Sequence, residues 1–339
     1  MNESFFAQNK IFKHIDKIQN WSDRELETLV TAEIDMTNKC NAKCPGCIGG
    51  RKNANASISK EESHDIIDQL TEIGLRGLIF TGGGEPLVNK HTPDAIKYAK
   101  SKGLDIGIIT NGILLNEEIA EIILENCTWC RVSLNAGNEK TYKLIQGLDG
   151  NLFNKAVANT QKISQLKKEK NSECTIGIAY LTGKATIEGM ENFAKLGKKL
   201  DIDYSQFRPF HGDFTEIENE LSEIKKKYQT NTHKIVDSTY KYEHFKDENK
   251  RPYGKCFGVN FATVIGADLN VYACCHTRGI EKYSLGNLRE KSFKNIWKDR
   301  FEIPAFQKIT NICPLFCRAD TFNRILWEIK NPQQHQNFL

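Results

Sequence analysis

Between Leu29 and about Phe210 the chain repeats one pattern, a short apolar run rich in β-branched residues followed by a longer amphipathic stretch. Such alternation marks parallel βα units, because a strand that pairs in parallel with its predecessor must return by a crossover, usually a helix. Six runs can be counted: LVTAEIDM (29–36), RGLIFTG (76–82), DIGIITNG (105–112), CRVSLNA (130–136), CTIGIAYL (174–181) and DYSQFRPF (203–210). Helix starts stand between them. Ser59 with Glu62 three residues on has the capping-box spacing, and Asn116 precedes Glu117 and Glu118. Six such units build either a doubly wound sheet or a curved, partly closed barrel, and both gather chemistry at the C-terminal ends of their strands. The residues there suit a site: three cysteines follow the first run, Gly82 to Glu85 the second, Asn111 the third, and Asn135 ends the fourth.

The redox setting decides how the cysteines are read. The N-terminus has no uninterrupted apolar segment of the secretory kind, and no run approaches the roughly 18 apolar residues of a membrane span. The expectation is a cytoplasmic protein with no membrane partner, whose 11 cysteines stay reduced and whose spacing then speaks of ligation. With 47 basic against 43 acidic residues the charge is +4, too balanced for a dedicated nucleic-acid binder. Cys40, Cys44 and Cys47 form C-x3-C-x2-C within MTNKCNAKCPGCIGG. Structural zinc and ordinary cubane iron–sulfur sites take four protein ligands, so three thiolates on one loop suggest a cluster with one open iron where a substrate or cofactor can chelate.

Beyond the sixth run the composition changes. The expected organisation is an N-terminal extension (1–28), the βα domain (29–215), a polar helical connector with a helix over 216–227 (216–250), a cysteine-rich module (251–320), and a C-terminal helix near 321–329 with a tail (321–339). The module holds five of the 11 cysteines and a hairpin candidate, FATVIGADLNVYACC, with its turn at Ala267-Asp268-Leu269-Asn270. Cys256, Cys274, Cys313 and Cys317 offer four soft thiolates, which suit a tetrahedral zinc or a cubane cluster; their chemistry alone leaves both open.

The C-x3-C-x2-C loop together with Gly82-Gly83-Gly84-Glu85-Pro86 after the second run resembles the radical S-adenosylmethionine (SAM) superfamily. The resemblance implies an α/β fold, a partial (β/α)6 TIM-like barrel followed by a small cysteine-rich α+β module with a β-hairpin. It implies that Cys40, Cys44 and Cys47 hold a 4Fe-4S cluster whose fourth iron binds SAM, that Gly82, Gly83, Gly84 and Glu85 meet the SAM amino group, that Ser133 and Asn135 bind the ribose with Asn111 nearby, and that Arg208 pairs with a carboxylate. The position before the third cysteine, often aromatic in the family and packed on adenine, is Gly46 here. The second group of cysteines resembles the twitch form of the SPASM module, which implies that Cys256, Cys274, Cys313 and Cys317 hold an auxiliary 4Fe-4S cluster. Leu269 stands where that module usually has Gly, with Asn270 available for a left-handed turn, and the last pair is C-x3-C.

Cys275 is expected on the opposite face of the strand from Cys274, as a packed core thiol, a substitute ligand or a hydrogen-atom donor. Cys127, Cys130 and Cys174 read as core residues, and His211 and Asp213 as a solvated loop with the option of a substrate base. The reaction expected from the resemblance is hydrogen abstraction by a 5′-deoxyadenosyl radical from a small polar substrate such as a sugar or aminocyclitol, ending in oxidation or epimerisation. A flavodoxin or ferredoxin reductase system would supply electrons. Only 39 residues precede Cys40, which favours a small substrate over a leader-bearing peptide. The alternatives are a peptide or natural-product modifying radical SAM enzyme and, from another class, a non-catalytic iron–sulfur or zinc factor.

Overall fold

The computed structural model describes residues 9–49, 55–210, 213, 215–238, 242, 251–303, 306, 313–314, 317–332 and 334. Helix α1 (Ile15–Ser22) precedes β1 (Thr31–Asp35). The βα series then runs α2 (Lys60–Glu72), β2 (Gly77–Thr81), α3 (Thr92–Ser101), β3 (Asp105–Thr110), α4 (Glu117–Asn126), β4 (Trp129–Val132), α5 (Glu139–Gln146), α6 (Gly150–Glu169), β5 (Thr175–Thr182), α7 (Met190–Leu200) and β6 (Tyr204–Pro209). Neighbouring strands from β1 to β6 pair in parallel. The caps act as the sequence suggests: Ser59 and Glu62 close a full capping box on α2, and Asn116 accepts the Ile119 amide at the start of α4.

Burial alternates with period two in β2 and β4, while β1, β3, β5 and β6 are buried at nearly every position, as strands covered on both faces are. Ile34, Leu78, Phe80, Ile106, Ile108, Cys130, Val132, Ile176 and Ile178 are fully buried and share one core with Ile67, Leu70, Ala95, Ala99 and Ile123 of the helices. Cys127 and Cys174 belong to that core too, which bears out their bland reading, and burial pushes the Cys174 thiol up to about 12. The opposite face of β1 carries Thr31, Glu33 and Asp35. No described helix is long and apolar enough to cross a membrane.

Two features depart from the expected organisation. The connector is not purely helical: α8 (Glu218–Tyr228) leads into β7 (Lys234–Asp237), which pairs in parallel with β6. The run is only four residues long and sits among charged residues, so its apolar signal is Ile235 and Val236 alone. The cysteine-rich module is also not a separate sheet. Its β8 (Ala262–Ile265) pairs in parallel with β1, β9 (Asn270–Tyr272) folds back on β8, and β10 (Ser284–Asn287) on β9, so one ten-stranded sheet runs β10-β9-β8-β1-β2-β3-β4-β5-β6-β7. Val271, Phe293 and Trp297 of the module lie in the same core as the barrel helices, with α9 (Phe293–Asp299) against α2. The final helix, α10 (Asp320–Lys330), packs Leu326 with Ile11, Trp21 and Phe261.

The hairpin turn is made differently from the expected way. Leu269 itself takes the left-handed conformation (φ 65°), while Asn270 opens β9. A β-carbon there costs on the order of 1–2 kcal/mol. Burial of the Leu269 side chain and the bond from the Asn270 amide to Asp268 Oδ1 (3.2 Å) offset it.

The module is fastened to β1 by buried charge. Arg278 donates to Glu33 Oε2 at 2.5 Å and its Nε lies 2.9 Å from Asp35 Oδ2; Arg318 donates to Glu33 Oε1. Burial alone would raise the Glu33 pKa, but Arg318 and Arg278 overrule it and hold the carboxyl down to about 2. Arg318 is two-fifths exposed and partly screened by water, whereas the Arg278 side chain is 6% exposed, so Arg278 carries the clamp. Removing one partner of a buried ion group leaves the other uncompensated, at about 3–5 kcal/mol. Arg278→Met is therefore expected to lower the unfolding free energy read from urea denaturation by that much, against less than about 1 kcal/mol for removal of the exposed Lys226–Glu223 pair. Equal effects from the two changes would show that the module docks without the clamp.

Candidate active site and auxiliary cysteine cavity

The first cysteine loop leaves the C-terminal end of β1 with Cys40 and Cys47 exposed and Cys44 half-buried. Cys44 Sγ donates to Gln146 Oε1 at 2.7 Å, and the amide of that same buried Gln146, at the end of α5, donates to the Ser133 carbonyl at 2.6 Å. One side chain thus ties the cysteine loop to the end of β4. Gln146 was not among the sequence candidates, because a lone glutamine at a helix end carries no motif.

The glycine turn after β2 lies directly under the cysteine loop. A β-carbon on Gly83 would sit 2.1 Å from Asn38 Oδ1, and one on Gly84 2.1 Å from the Lys39 carbonyl. The Glu85 amide donates to that carbonyl at 2.9 Å. None of the three glycines has a positive φ. What glycine allows at 83 and 84 is close approach of the cysteine loop itself. The expectation that glycine is there for a ligand misses this packing demand.

Glu85 faces inward. Its carboxylate accepts from Thr110 Oγ1 (2.7 Å), the Asn111 amide (2.7 Å) and the Leu87 amide (3.2 Å). Burial pushes its pKa up to about 6 against these three donors, which favour the ion. Its side chain therefore locks the ends of β2 and β3 together. Asn111 extends the lock, donating through Nδ2 to Asn41 Oδ1 of the cysteine loop at 2.6 Å. Across the mouth of the barrel Asn135 holds a left-handed conformation (φ 55°), and its Oδ1 lies 3.5 Å from Arg208 Nη2. Cys40, Cys44, Cys47, Gly82 to Glu85, Asn111, Ser133, Asn135 and Arg208 thus gather at one end of the barrel. Asp213 is half-buried; although burial works against it, bonds from Thr215 and the Lys184 amide hold its carboxyl below the ordinary carboxylate range, unsuited to a base. His211 lies outside the described residues.

The second group of cysteines lines one cavity of about 440 Å³, bounded by Cys256, Cys274, Cys275, Cys313 and Cys317. Burial pushes Cys256 up to about 11 and Cys274 up to about 12. A hydrogen bond between Cys313 and Cys317 raises the first and holds the second down to about 6. Asn323 Nδ2 donates to Cys256 Sγ at 3.2 Å, and the Ala319 amide to Cys317 Sγ at 3.4 Å. Soft thiols around a cavity, with N–H donors on the sulfurs, are the donor set an iron–sulfur cluster uses. β9 ends at Tyr272, so strand alternation does not extend to Cys274 and Cys275, and both residues line the same cavity.

Glu33 and Asp35 were also absent from the candidates, hidden in a run that reads as strand. Asp35 is fully buried, and although Arg278 Nε is near, it is out of line for a hydrogen bond. Burial pushes the Asp35 pKa up to about 7, with Arg278 opposing and Glu33 adding to the rise.

A family model described as the radical SAM superfamily matches residues 34–197, and one described as an iron–sulfur cluster-binding domain, SPASM, matches residues 256–319. The probable GTP 3′,8-cyclase of Methanococcus vannielii is 30% identical over 228 residues, 62% of this chain and 71% of that protein. The Fe-coproporphyrin III synthase of Methanosarcina barkeri is 24% identical over 327 residues, 86% of this chain and 79% of that protein. The crystal structure of Streptococcus suis SuiB bound to precursor peptide SuiA shares the fold, with a TM-score of 0.65 at 14% identity over 97% of this chain and 79% of that one. The chain belongs to the radical SAM superfamily and carries a C-terminal SPASM domain. It is an enzyme of that family, with a 4Fe-4S cluster, SAM and additional iron–sulfur as its cofactors.

The sign of the Asp35 effect on stability is set by its two pKa values. Between its ordinary value of 3.8 and the folded value of about 7, the unfolded chain loses the proton and the folded chain keeps it. The folded state binds more protons in that window, so this residue's contribution to stability falls as pH rises and stays lost above pH 7. Asp35→Asn is expected to be more stable than wild type at pH 8 and to differ little at pH 4, read as urea midpoints. A variant less stable at pH 8 would show that Arg278 outweighs burial at Asp35.

Proposed function

We propose that this enzyme oxidises a small polar substrate held in the barrel lumen between the SAM site at the C-terminal strand ends and the auxiliary cluster at the opposite end. When bound, the cofactors supply one electron, a 5′-deoxyadenosyl radical for hydrogen abstraction, and a second redox centre. The observation that carries the reading is the meeting of two cavities. The cysteine-lined cavity and a cavity of about 460 Å³ at the foot of the barrel, where β1, β2, β3, β4 and β6 begin, are both bounded by Lys10, His14, Val30 and Thr31. Polar side chains stand in the wall of the foot cavity: Asp105, Arg131, Tyr204 and Gln206 line it, with Arg131 Nη1 donating to Gln206 Oε1 at 3.0 Å.

In this reading Cys40, Cys44 and Cys47 hold the SAM-binding cluster and leave one iron open. Gly82 to Glu85 and Asn111 shape the wall that meets the SAM amino group, Ser133 and Asn135 the ribose, and Arg208 offers a guanidinium fork to a carboxylate. Cys256, Cys274, Cys313 and Cys317 hold the auxiliary cluster. Cys275, on the same cavity wall, is placed to give a hydrogen atom if the outcome is epimerisation. The electron donor is a flavodoxin- or ferredoxin-type reductase system. SuiB binds a precursor peptide, and a peptide substrate is the competing reading.

Anaerobic reconstitution tests the ligand sets. About eight irons per chain are expected, falling to about four both in a Cys40, Cys44, Cys47 triple alanine variant and in a Cys256, Cys274, Cys313, Cys317 quadruple variant. With SAM and a reductant the wild type is expected to release 5′-deoxyadenosine. Extracts of cells grown on deuterated medium, split by dialysis, test the substrate. Deuterium transfer from the dialysable fraction supports the small-substrate reading, and transfer from the retained fraction alone supports a peptide. About four irons in wild type, lost entirely in the triple variant, would remove the auxiliary cluster and with it the proposed electron acceptor.

A further inference from the structure

We infer that the ring of Phe210, from the end of β6, provides the aromatic face for the purine base of SAM, and that Gly46 is glycine to make room for that ring. The inference rests on the reading that SAM binds at the Cys40 to Cys47 loop. A β-carbon on Gly46 would sit 2.0 Å from Cζ of Phe210 and 2.7 Å from Cε2, so the ring already fills the space a side chain at 46 would need. The two residues come from different parts of the chain and meet here, Gly46 from the cysteine loop and Phe210 from just past the end of β6. The Phe210 amide donates to the Thr182 carbonyl at 2.8 Å, which fixes where the ring starts.

Where they meet, a cavity of about 240 Å³ opens beside the third cysteine, bounded by Pro45, Gly46, Ile145, Gly183, Phe210 and Asp213. It is predominantly apolar and flanked by an aromatic ring, which suits a flat heterocycle. Asp213 adds one polar group. Its Oδ2 accepts from the Lys184 amide at 2.8 Å, and its Oδ1 from the Thr215 amide and hydroxyl at 3.1 and 2.5 Å. A carboxylate has about four acceptor positions, so these three donors leave capacity for one more N–H. Gly183 brings the carboxylate to the wall, since a β-carbon there would sit 2.4 Å from Asp213 Oδ2. A base with an exocyclic amino group satisfies both the ring and the carboxylate; an oxo base in its place faces the carboxylate with an acceptor.

Equilibrium dialysis of the iron-reconstituted, unreduced protein against labelled SAM tests this without turnover. Phe210→Ala is expected to weaken SAM binding by about 5- to 100-fold, the range for loss of one base-on-aromatic stack, with iron content unchanged. Phe210→Leu keeps bulk without an aromatic face and is expected to weaken binding as well, which decides the matter if the alanine variant loses iron. The double change Gly46→Phe with Phe210→Gly returns a ring from the cysteine loop and is expected to recover most of the affinity. Wild type is expected to prefer 5′-methylthioadenosine to its inosine counterpart, and Asp213→Asn to narrow that preference. Wild-type affinity in a fully iron-loaded Phe210→Leu would overturn the inference, whereas wild type that holds its iron and binds no SAM would overturn the reading beneath it.

Discussion

Glu33, on the inner face of β1, cannot remain buried as a carboxylate without a cation, and the cation comes from the other end of the chain. Arg278 sits between Glu33 and Asp35 and is itself almost wholly buried. Isolated buried charge costs several kcal/mol per ion, so neither β1 nor the loop that follows β9 is stable in its place alone. The parallel pairing of β8 with β1 supplies the register that lets the charges meet, with Glu33 opposite Val264. The strand that carries the first cysteine loop is thus set by the domain that carries the second. A change at Arg278 would be felt at both cysteine groups, because β1 lies between them.

At the open end of the barrel the same economy of contacts recurs with neutral groups. The cysteine loop is held by backbone bonds to the glycine turn, by Asn41 meeting Asn111, and by Gln146 spanning Cys44 and Ser133. Glu85 takes three donors from its own neighbourhood, so the ends of β2 and β3 are fixed before any ligand arrives. Preorganisation of this kind leaves the exposed Cys40 and Cys47 as the adaptable part of the site.

Periodicity and spacing announced the six strands, the capping box on α2 and both cysteine groups, because each depends on residues near one another in sequence. What sequence alone did not announce depends on pairing across long separations. β8 reads as half of a self-contained hairpin, and only its register against β1, more than 220 residues away, shows that it extends the barrel sheet. β7 has too few apolar residues to stand out from the charged segment around it. Leu269 can adopt a left-handed turn because tertiary burial compensates the strain, which local propensity does not record. Glu33 and Asp35 look like ordinary polar positions of an alternating strand until Arg278 is placed. Strand alternation does not reach Cys275, because β9 stops two residues before Cys274.

The position of Cys275 bears on which outcome the site favours. It shares a cavity wall with the four cysteines of the module, and Glu33, Arg278 and Arg318 are its nearest charges. A thiol in that place lies on the route from the lumen to the auxiliary site, so it can act on a substrate radical only if the substrate reaches past Thr31 toward the foot of the barrel. For a substrate that stays near the SAM end, Cys275 would be a packing residue, and the auxiliary cluster that Cys256, Cys274, Cys313 and Cys317 would hold in the proposed reading would supply the electron acceptor. In the proposed reading, substrate depth in the lumen would separate epimerisation from oxidation. The polar groups that set that depth, Arg131 with Gln206 at the foot and Arg208 with Asn135 at the mouth, stand at its two ends.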